Sequence, residues 1–568
     1  MRTIHGRTRW LRFAIAAGAA ILAAGLQGFI FPAFAGYELP PGERITNLPH
    51  IPRSMPQKEA YEIYDPVIGR NFDLKNLWMR ADLRVRPEFR NGVCFGGGAP
   101  AGGACNGFAG GQAGRANLGR GANDFYVQQW VRLGIGYDLS PDVNFYFEII
   151  DAATWGGNGN PNNAGNGGDP LNHACGAFNA TGPATTAAQS NCRLGVRAAY
   201  VLIRNLAGIQ GLSVKAGRQY VIFGNHSLFG HFDWANTGYS HDGIMFAYQT
   251  KAFDSYFGWF RNAETDIVQG APVGSLAGNV AGTAGAGRPD GGGDVDMFIF
   301  YNQIKTVPGF LIEPYYVLYS NNLHESLNTA QGMGTPKKSS QLRHMIGNRI
   351  EMRKGNFDFI NETAWQFGSM ADGLGADNNR NVKINAWATR NWVGYTIYEN
   401  KMKPRFAAGF DYASGDGDAN CSVGGAAQAG YSCASAGGTF ENFFPTNHIH
   451  MGYMDIMAWK NMVMPQGNFQ FRPTARDHFE IWYSHMRLAS ARDNWYRAAQ
   501  GPYVFSRSDN TANHIGDEVD FTWTRMFADG KVAFQATYGH MFTGSYIAKN
   551  LGTSADQTWG FVQLWMNF

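Results

Sequence analysis

Long apolar runs are scarce in this 568-residue chain. The one stretch long enough to cross a bilayer as a helix is Phe13 to Phe31, and no later run reaches 18 apolar residues, so a helical membrane protein built from the remainder is excluded. Charge is also sparse. Asp, Glu, Lys and Arg make up 16% of the residues, against about 25% in soluble globular domains. Cysteine is limited to six residues, without C-x-x-C spacing and without a histidine at finger-like distance, which speaks against a structural zinc site. What is abundant is glycine, 73 residues, and aromatic side chains, 14%. That balance suits a surface that meets lipid and a chain with many turns and loops.

The amino terminus carries Arg2, Arg7, Arg9 and Arg12, then the apolar run, then Ala33-Phe34-Ala35. A basic region, an apolar region and an A-x-A triplet describe a secretory signal, with the cut expected after Ala35. An uncleaved anchor is the competing reading. Loss of residues 1–35 removes four arginines and no acids, leaving 43 basic residues against 44 acidic ones. The slight basicity of the whole chain therefore says nothing of nucleic acid, and none is expected as a partner.

Met79 to Arg90 reads MRADLRVRPEFR, with Arg80, Asp82, Arg84, Arg86, Glu88 and Arg90 alternating with apolar residues. A period of two is a strand period, and it sorts charge to one face and apolar side chains to the other. Further two-period segments follow at Phe125–Leu139, Val143–Ile150, near Leu194 and Leu212, and onward to the carboxyl end. The connections between them alternate. Tight turns at Ser140-Pro141-Asp142, Lys251–Phe253, Val307–Gly309, Lys354-Gly355, Glu399–Lys403, Ala475–Asp477 and Ala528–Gly530 take turns with long polar or Gly-rich loops such as 263–293, 321–339, 415–461 and 490–515. A soluble all-β protein has no reason to sort its connections by parity. An outer-membrane barrel does, with short periplasmic turns and long extracellular loops. The expected fold is all-β, a transmembrane antiparallel β-barrel of about 18 strands over residues 71–568, after an irregular, Pro-rich periplasmic segment at 36–70. Residues 36–70 or the long loops could enter and plug the bore. The last strand, TWGFVQLWMNF, ends on an aromatic at Phe568, as the terminal strands of such barrels do.

The cysteines form three close pairs, Cys94 with Cys105, Cys175 with Cys192, and Cys421 with Cys433, each within one long loop. In an exported protein, a disulfide within each loop is the simplest assignment.

In a barrel, the charges of the first strand line a wet interior. Residues expected to join them are Arg132 beside Gln128, Glu148, Arg349, Glu351, Arg353, Asp358, Glu362, Arg405, Asp411, Glu518 and Asp520. Guanidinium groups match carboxylates bidentately, so an anionic small molecule or polysaccharide is the expected passenger. The alternative is a ladder in which Asp82, Glu88 and neighbouring acids neutralise the arginines and merely fill the lumen.

Segment 216–248, AGRQYVIFGNHSLFGHFDWANTGYSHDGIMFAY, resembles the alginate export family of outer-membrane proteins. DYASGDGD (411–418), TFENFFPTNHIHMGYMD (439–455) and GDEVDFTWTR (516–525) continue that pattern in the same order. The resemblance implies an 18-stranded, monomeric barrel in the outer membrane of a Gram-negative-type bacterium, surrounded by its lipids, with an electropositive constriction that passes a uronic-acid polymer. A closed or gated barrel that acts as a scaffold is the reading from another class.

Enzymatic readings are weak. Ser484 and His485 are adjacent on a strand and point to opposite faces, and His540 with Thr543 or Ser545 forms no triad pattern. His226, His231, His241, His448 and His450 lack a fixed ligand spacing, and GGGAPAGGACNGFAGG (96–111) lacks the Gly-Lys-Ser/Thr of a phosphate loop. No cofactor or metal is expected.

Overall fold

The computed structural model describes residues 74–92, 124–156, 194–234, 238–263, 295–321, 341–371, 381–417, 437–496, 498, 502–504, 510–551 and 555–567. The expected signal and 36–70 segment, all six cysteines and Phe568 lie outside these residues.

Alternating sequence becomes strand throughout. The strands are β1 (Leu77–Asn91), β2 (Asp124–Ser140), β3 (Val143–Gly156), β4 (Leu194–Ile203), β5 (Leu212–Gln219), β6 (His241–Gln249), β7 (Phe253–Ala263), β8 (Val295–Ile304), β9 (Phe310–Asn321) and β10 (Gln341–Lys354). They continue with β11 (Phe357–Ala371), β12 (Asn381–Thr396), β13 (Arg405–Ala413), β14 (Met462–Phe471), β15 (Asp477–Arg487), β16 (Trp495–Tyr496), β17 (Pro502–Val504), β18 (His514–Phe527), β19 (Val532–Thr543) and β20 (Gln557–Asn567). One short helix, α1 (Ser545–Leu551), precedes the last strand.

β16 and β17 pair only with each other, and the other 18 strands form one antiparallel sheet. Each pairs with its neighbour in the chain, and β1 closes the sheet by pairing with both β2 and β20. Closure leaves no strand edge unpaired, the condition for crossing a bilayer in β-structure. Short and long connections alternate in strict order. The tightest need only two residues, Pro141-Asp142 and Gly355-Asn356, with Gly355 at φ +60°. β3 runs six residues past the expected end at Ile150, because Asp151-Ala-Ala-Thr resembles a loop in composition yet pairs with β2.

The sides of the wall are inverted relative to a soluble protein. On β1, Met79 is 58% exposed while Arg84, Arg86 and Glu88 are at most 1% exposed. Exposed aromatic side chains gather near the short turns, with Phe145, Phe357, Tyr395, Phe406 and Phe527, and toward the other rim, with Phe89, Phe125, Trp365, Trp387 and Phe542. Between these girdles lie aliphatic residues such as Val131, Ile481 and Val562, as a lipid-facing band requires. Val562→Arg places a cation in that band. It is expected to lower unfolding free energy by about 2–4 kcal/mol, read by urea titration in lipid vesicles, and an unchanged midpoint would contradict the facing assigned here.

Candidate functional site

The interior is built from two walls and two connections that fold between them. Four strands supply the first wall. Arg80, Arg84, Arg86 and Arg90 on β1, Arg132 on β2 and Arg197 on β4 point inward, against Asp82, Glu88, Asp138 and Glu148 on β1–β4. Part of this is a salt-bridge ladder. Arg80 and Arg132 meet Asp82 at 3.0 and 3.1 Å, and Arg86 meets Glu88 at 2.7 Å. Arg86 also donates to Gln128, while Glu148 accepts from Tyr146 and Tyr220.

The arginines then reach residues 220–234 and 238–240, the described part of the connection from β5 to β6. Arg132 and Arg197 each lie 3.1 Å from the carboxylate of Asp233. Arg84 donates to the carbonyl of Asp233, and Arg86 donates to the carbonyl of Trp234 at 2.9 Å. The Arg86 guanidinium also covers the Trp234 ring at 3.4 Å, a desolvated cation–π contact. Burial alone would raise the Asp233 carboxyl, but Arg132, His231 and Arg197 outweigh it and hold it well below the usual carboxylate range. With the folded value depressed, this contribution to stability is present above the ordinary carboxylate pKa of ~4 and is lost progressively as the pH falls below it toward the depressed folded value.

The second wall has the opposite sign. Glu480 on β15 and Glu518 and Asp520 on β18 face inward, and among the described residues no Lys or Arg does so on β14, β15, β18, β19 or β20. These acids grip residues 437–461, part of the connection from β13 to β14. The backbone N–H of Met454 donates to Glu518 at 2.9 Å, that of Tyr453 to Asp520 at 3.2 Å, and the Tyr453 hydroxyl to Glu480 at 2.8 Å. Gly452, at φ +82°, lies so close that a Cβ there would come within 2.4 Å of Glu518 Oε1. The arginine wall thus holds its connection through carbonyls and a carboxylate, and the acidic wall holds its own largely through amides. Between the walls run the neutral Gln535, Thr537 and Gln563 of β19 and β20.

The two connections join across the bore. Phe229 and Phe444 form a parallel bridge; Gly230 N–H donates to the Phe444 carbonyl at 2.8 Å, and Phe444 N–H to the Leu228 carbonyl at 3.0 Å. Trp234 stacks on His448 at 3.6 Å and donates to Asp455 at 2.6 Å, and His448 meets the same carboxylate at 2.9 Å. Phe229, Phe440, Phe443, Phe444, Met451 and Trp459 make this region apolar. Phe232, Phe443 and Asp455 hold left-handed φ values of 50°, 53° and 61°, at roughly 1–3 kcal/mol each, so the contacts around them over-determine their conformation.

Much of the remaining wall is paired. Arg349 bridges Glu313 and Glu351, Arg405 meets Asp358 at 2.7 Å, and Arg390 meets Asp411 at 3.0 Å while donating to Ser227 Oγ at 2.8 Å. Tyr315 donates to Glu362 at 3.2 Å, and Arg353 lies over the Tyr398 ring at 4.9 Å. Ser484 is buried on the inner face, 3.4 Å from Gln466, and His485 turns outward to Asp517. His450 bonds the Asn225 carbonyl.

Sequence reading passed over Asp233, Arg197, Arg390, Glu313 and Glu480. Glu313 and Glu480 carried a signal, because each is a lone acid in an apolar alternating segment and has nowhere to face but inward. Arg197 carried none. The register of β3 and β4 skips it, Glu148 pairing with Ala198 and Ile149 with Val196. That bulge turns both Arg197 and Ala198 to the interior.

A closed barrel with lipid-facing girdles and a charged interior defines an outer-membrane porin-like channel. The sequence profile of the family described as alginate export matches residues 127–561, and the chain belongs to that family. Among curated proteins no sequence matches it. Similar solved structures include OccK8 (OprE) of Pseudomonas aeruginosa, 10% identical, covering 86% of this chain and 98% of that one with a TM-score of 0.43. OccAB2 of Acinetobacter baumannii is 11% identical over 86% and 98%, with a TM-score of 0.45.

Proposed function

We propose that this outer-membrane channel passes an anionic solute or polysaccharide along its arginine wall. The observation that carries the reading is the inward excess on β1–β4, six guanidinium groups against four carboxylates among the described residues. An acid-only wall beyond β19 and β20 would complete a transverse field, drawing carboxylate-bearing groups to one side of the bore. Both faces of Trp234 are covered, by Arg86 and by His448, so that ring serves as a support for the arginines and offers no stacking platform to a sugar.

In planar bilayers the protein is expected to conduct with anion preference, and Arg84→Ala with Arg86→Ala to lower the anion-to-cation permeability ratio about fivefold, equivalent to ~1 kcal/mol. A cation preference that the double variant leaves unchanged would defeat the proposal. The apolar junction of residues 220–240 with 437–461 favours a second reading, a gated or closed barrel working as a scaffold. Absence of conductance in the wild type would select it.

Export through a cleaved signal belongs to the same reading. The mature protein is expected to begin at Gly36, to carry one disulfide within each of the three cysteine-bearing loops, and to leave 36–70 as a periplasmic segment. Intact mass under non-reducing conditions, followed by peptide mapping, checks both points; an unprocessed mass or six alkylated thiols would refute them.

A further inference from the structure

Outside the bore, at the rim carrying the long connections, His485 of β15 and His514 and Asp517 of β18 meet on the outward face. We propose that these three residues form a binding site for a divalent transition-metal ion such as Zn2+. One ligand atom from each lies within 4.8 Å of the others. His485 Nδ1 is 2.7 Å from Asp517 Oδ1 and His514 Nε2 is 3.1 Å from Oδ2. Two ligands bound at ~2.1 Å in a tetrahedral set lie about 3.4 Å apart, so the His514 pair need open by about 0.3 Å and the His485 pair by about 0.7 Å. The imidazole rings stack at 4.7 Å with 24° between their planes, which presents both ligating nitrogens to one carboxylate. Two imidazoles and a carboxylate suit zinc, copper or nickel rather than calcium or magnesium.

The surroundings favour a cation there. The Tyr483 hydroxyl donates to Asp517 Oδ1 at 2.6 Å, fixing the carboxylate from behind as outer partners of metal ligands do. Between this cluster and the outward Asp477–Arg525 pair near the other rim, the outward residues of the two strands are apolar or aromatic, among them Ile481, Tyr483, Val519 and Phe521. A carboxylate at the edge of such a face is costly without a balancing charge. Arg487 sits opposite His514 in register and is turned to Asn513 at 3.0 Å. With 27–31% of each side chain exposed, the ion would keep an open position for water or an anionic headgroup.

Cobalt binding tests the proposal. Untagged protein folded in detergent, with folding verified by heat-modifiable migration, is titrated with Co2+ alone while the visible absorption is followed. The wild type is expected to bind one equivalent that His485→Ala and His514→Ala each weaken about tenfold or more, whereas His540→Ala, on the neighbouring strand, retains it. Should an alanine variant fail to fold, His485→Gln replaces it in the comparison. No bound equivalent in the wild type, or wild-type binding in both the His485 and the His514 variants, overturns the site.

Discussion

Asp233→Ala is expected to loosen the connection between β5 and β6 and to give channels of larger, noisier conductance than the wild type. The carboxylate is 1% exposed and sits 3.1 Å from two guanidinium groups that are themselves 1% exposed or less. Breaking a buried pair from one side leaves an uncompensated charge, at about 3–5 kcal/mol. Arg132 keeps Asp82, and Arg197 keeps Ser240 and the His231 carbonyl, so the barrel itself should still fold. What is lost is the Asp233 share of the lateral hold on this connection, which then rests on Arg84, Arg86, the remaining contacts of Arg197, Arg390 and the junction with Phe444. Asp233→Asn retains the shape without the charge and should fall between the two. Single-channel recordings identical for wild type and Asp233→Ala would show that this connection does not limit the current.

The second large effect is a failure of additivity. Arg390 and Asp411 are both fully buried and 3.0 Å apart, so Asp411→Ala strands a guanidinium, with an expected loss of about 3–5 kcal/mol. Replacing both, as in Arg390→Met with Asp411→Ala, removes the stranded charge and should recover much of that loss, since an apolar pair of similar volume is often no less stable. Recovery should be partial, because Arg390 also donates to Ser227 and so ties the connection to the wall from the far side. Urea midpoints of the single and double variants in detergent measure the coupling; a double variant less stable than Asp411→Ala would refute it.

The wall was legible in the sequence because a dyad repeat has only two faces and lipid tolerates only one kind of side chain. Arg80 through Arg90, Glu148, Arg349, Glu362 and Asp520 declared their facing by parity alone. The interior contacts were not legible, because they depend on which long connection turns inward. Residues 220–240 and 437–461 are rich in Phe, Tyr, Trp and His, whereas 263–293 holds no aromatic side chain; that difference sets them apart from the Gly-rich connections but names none of their partners. The bulge beside Glu148 hid Arg197 for a related reason: one skipped residue resets parity, and the alternating pattern shows only which face comes next. The expectation of an arginine strip free to meet solutes also changes meaning, since Arg84 and Arg86 spend hydrogen bonds on main-chain carbonyls of their own chain.

Because the two walls clasp the inward connections largely by main-chain carbonyls and amides, attachment asks little of the identity of the residues being clasped, Asp233 and Gly452 apart. Side chains such as Phe229 or Phe443 could therefore diverge between relatives, or be exchanged by an engineer, while the polypeptide stays moored. Selectivity for cargo and retention of the barrel's inner lining would then evolve as separable traits.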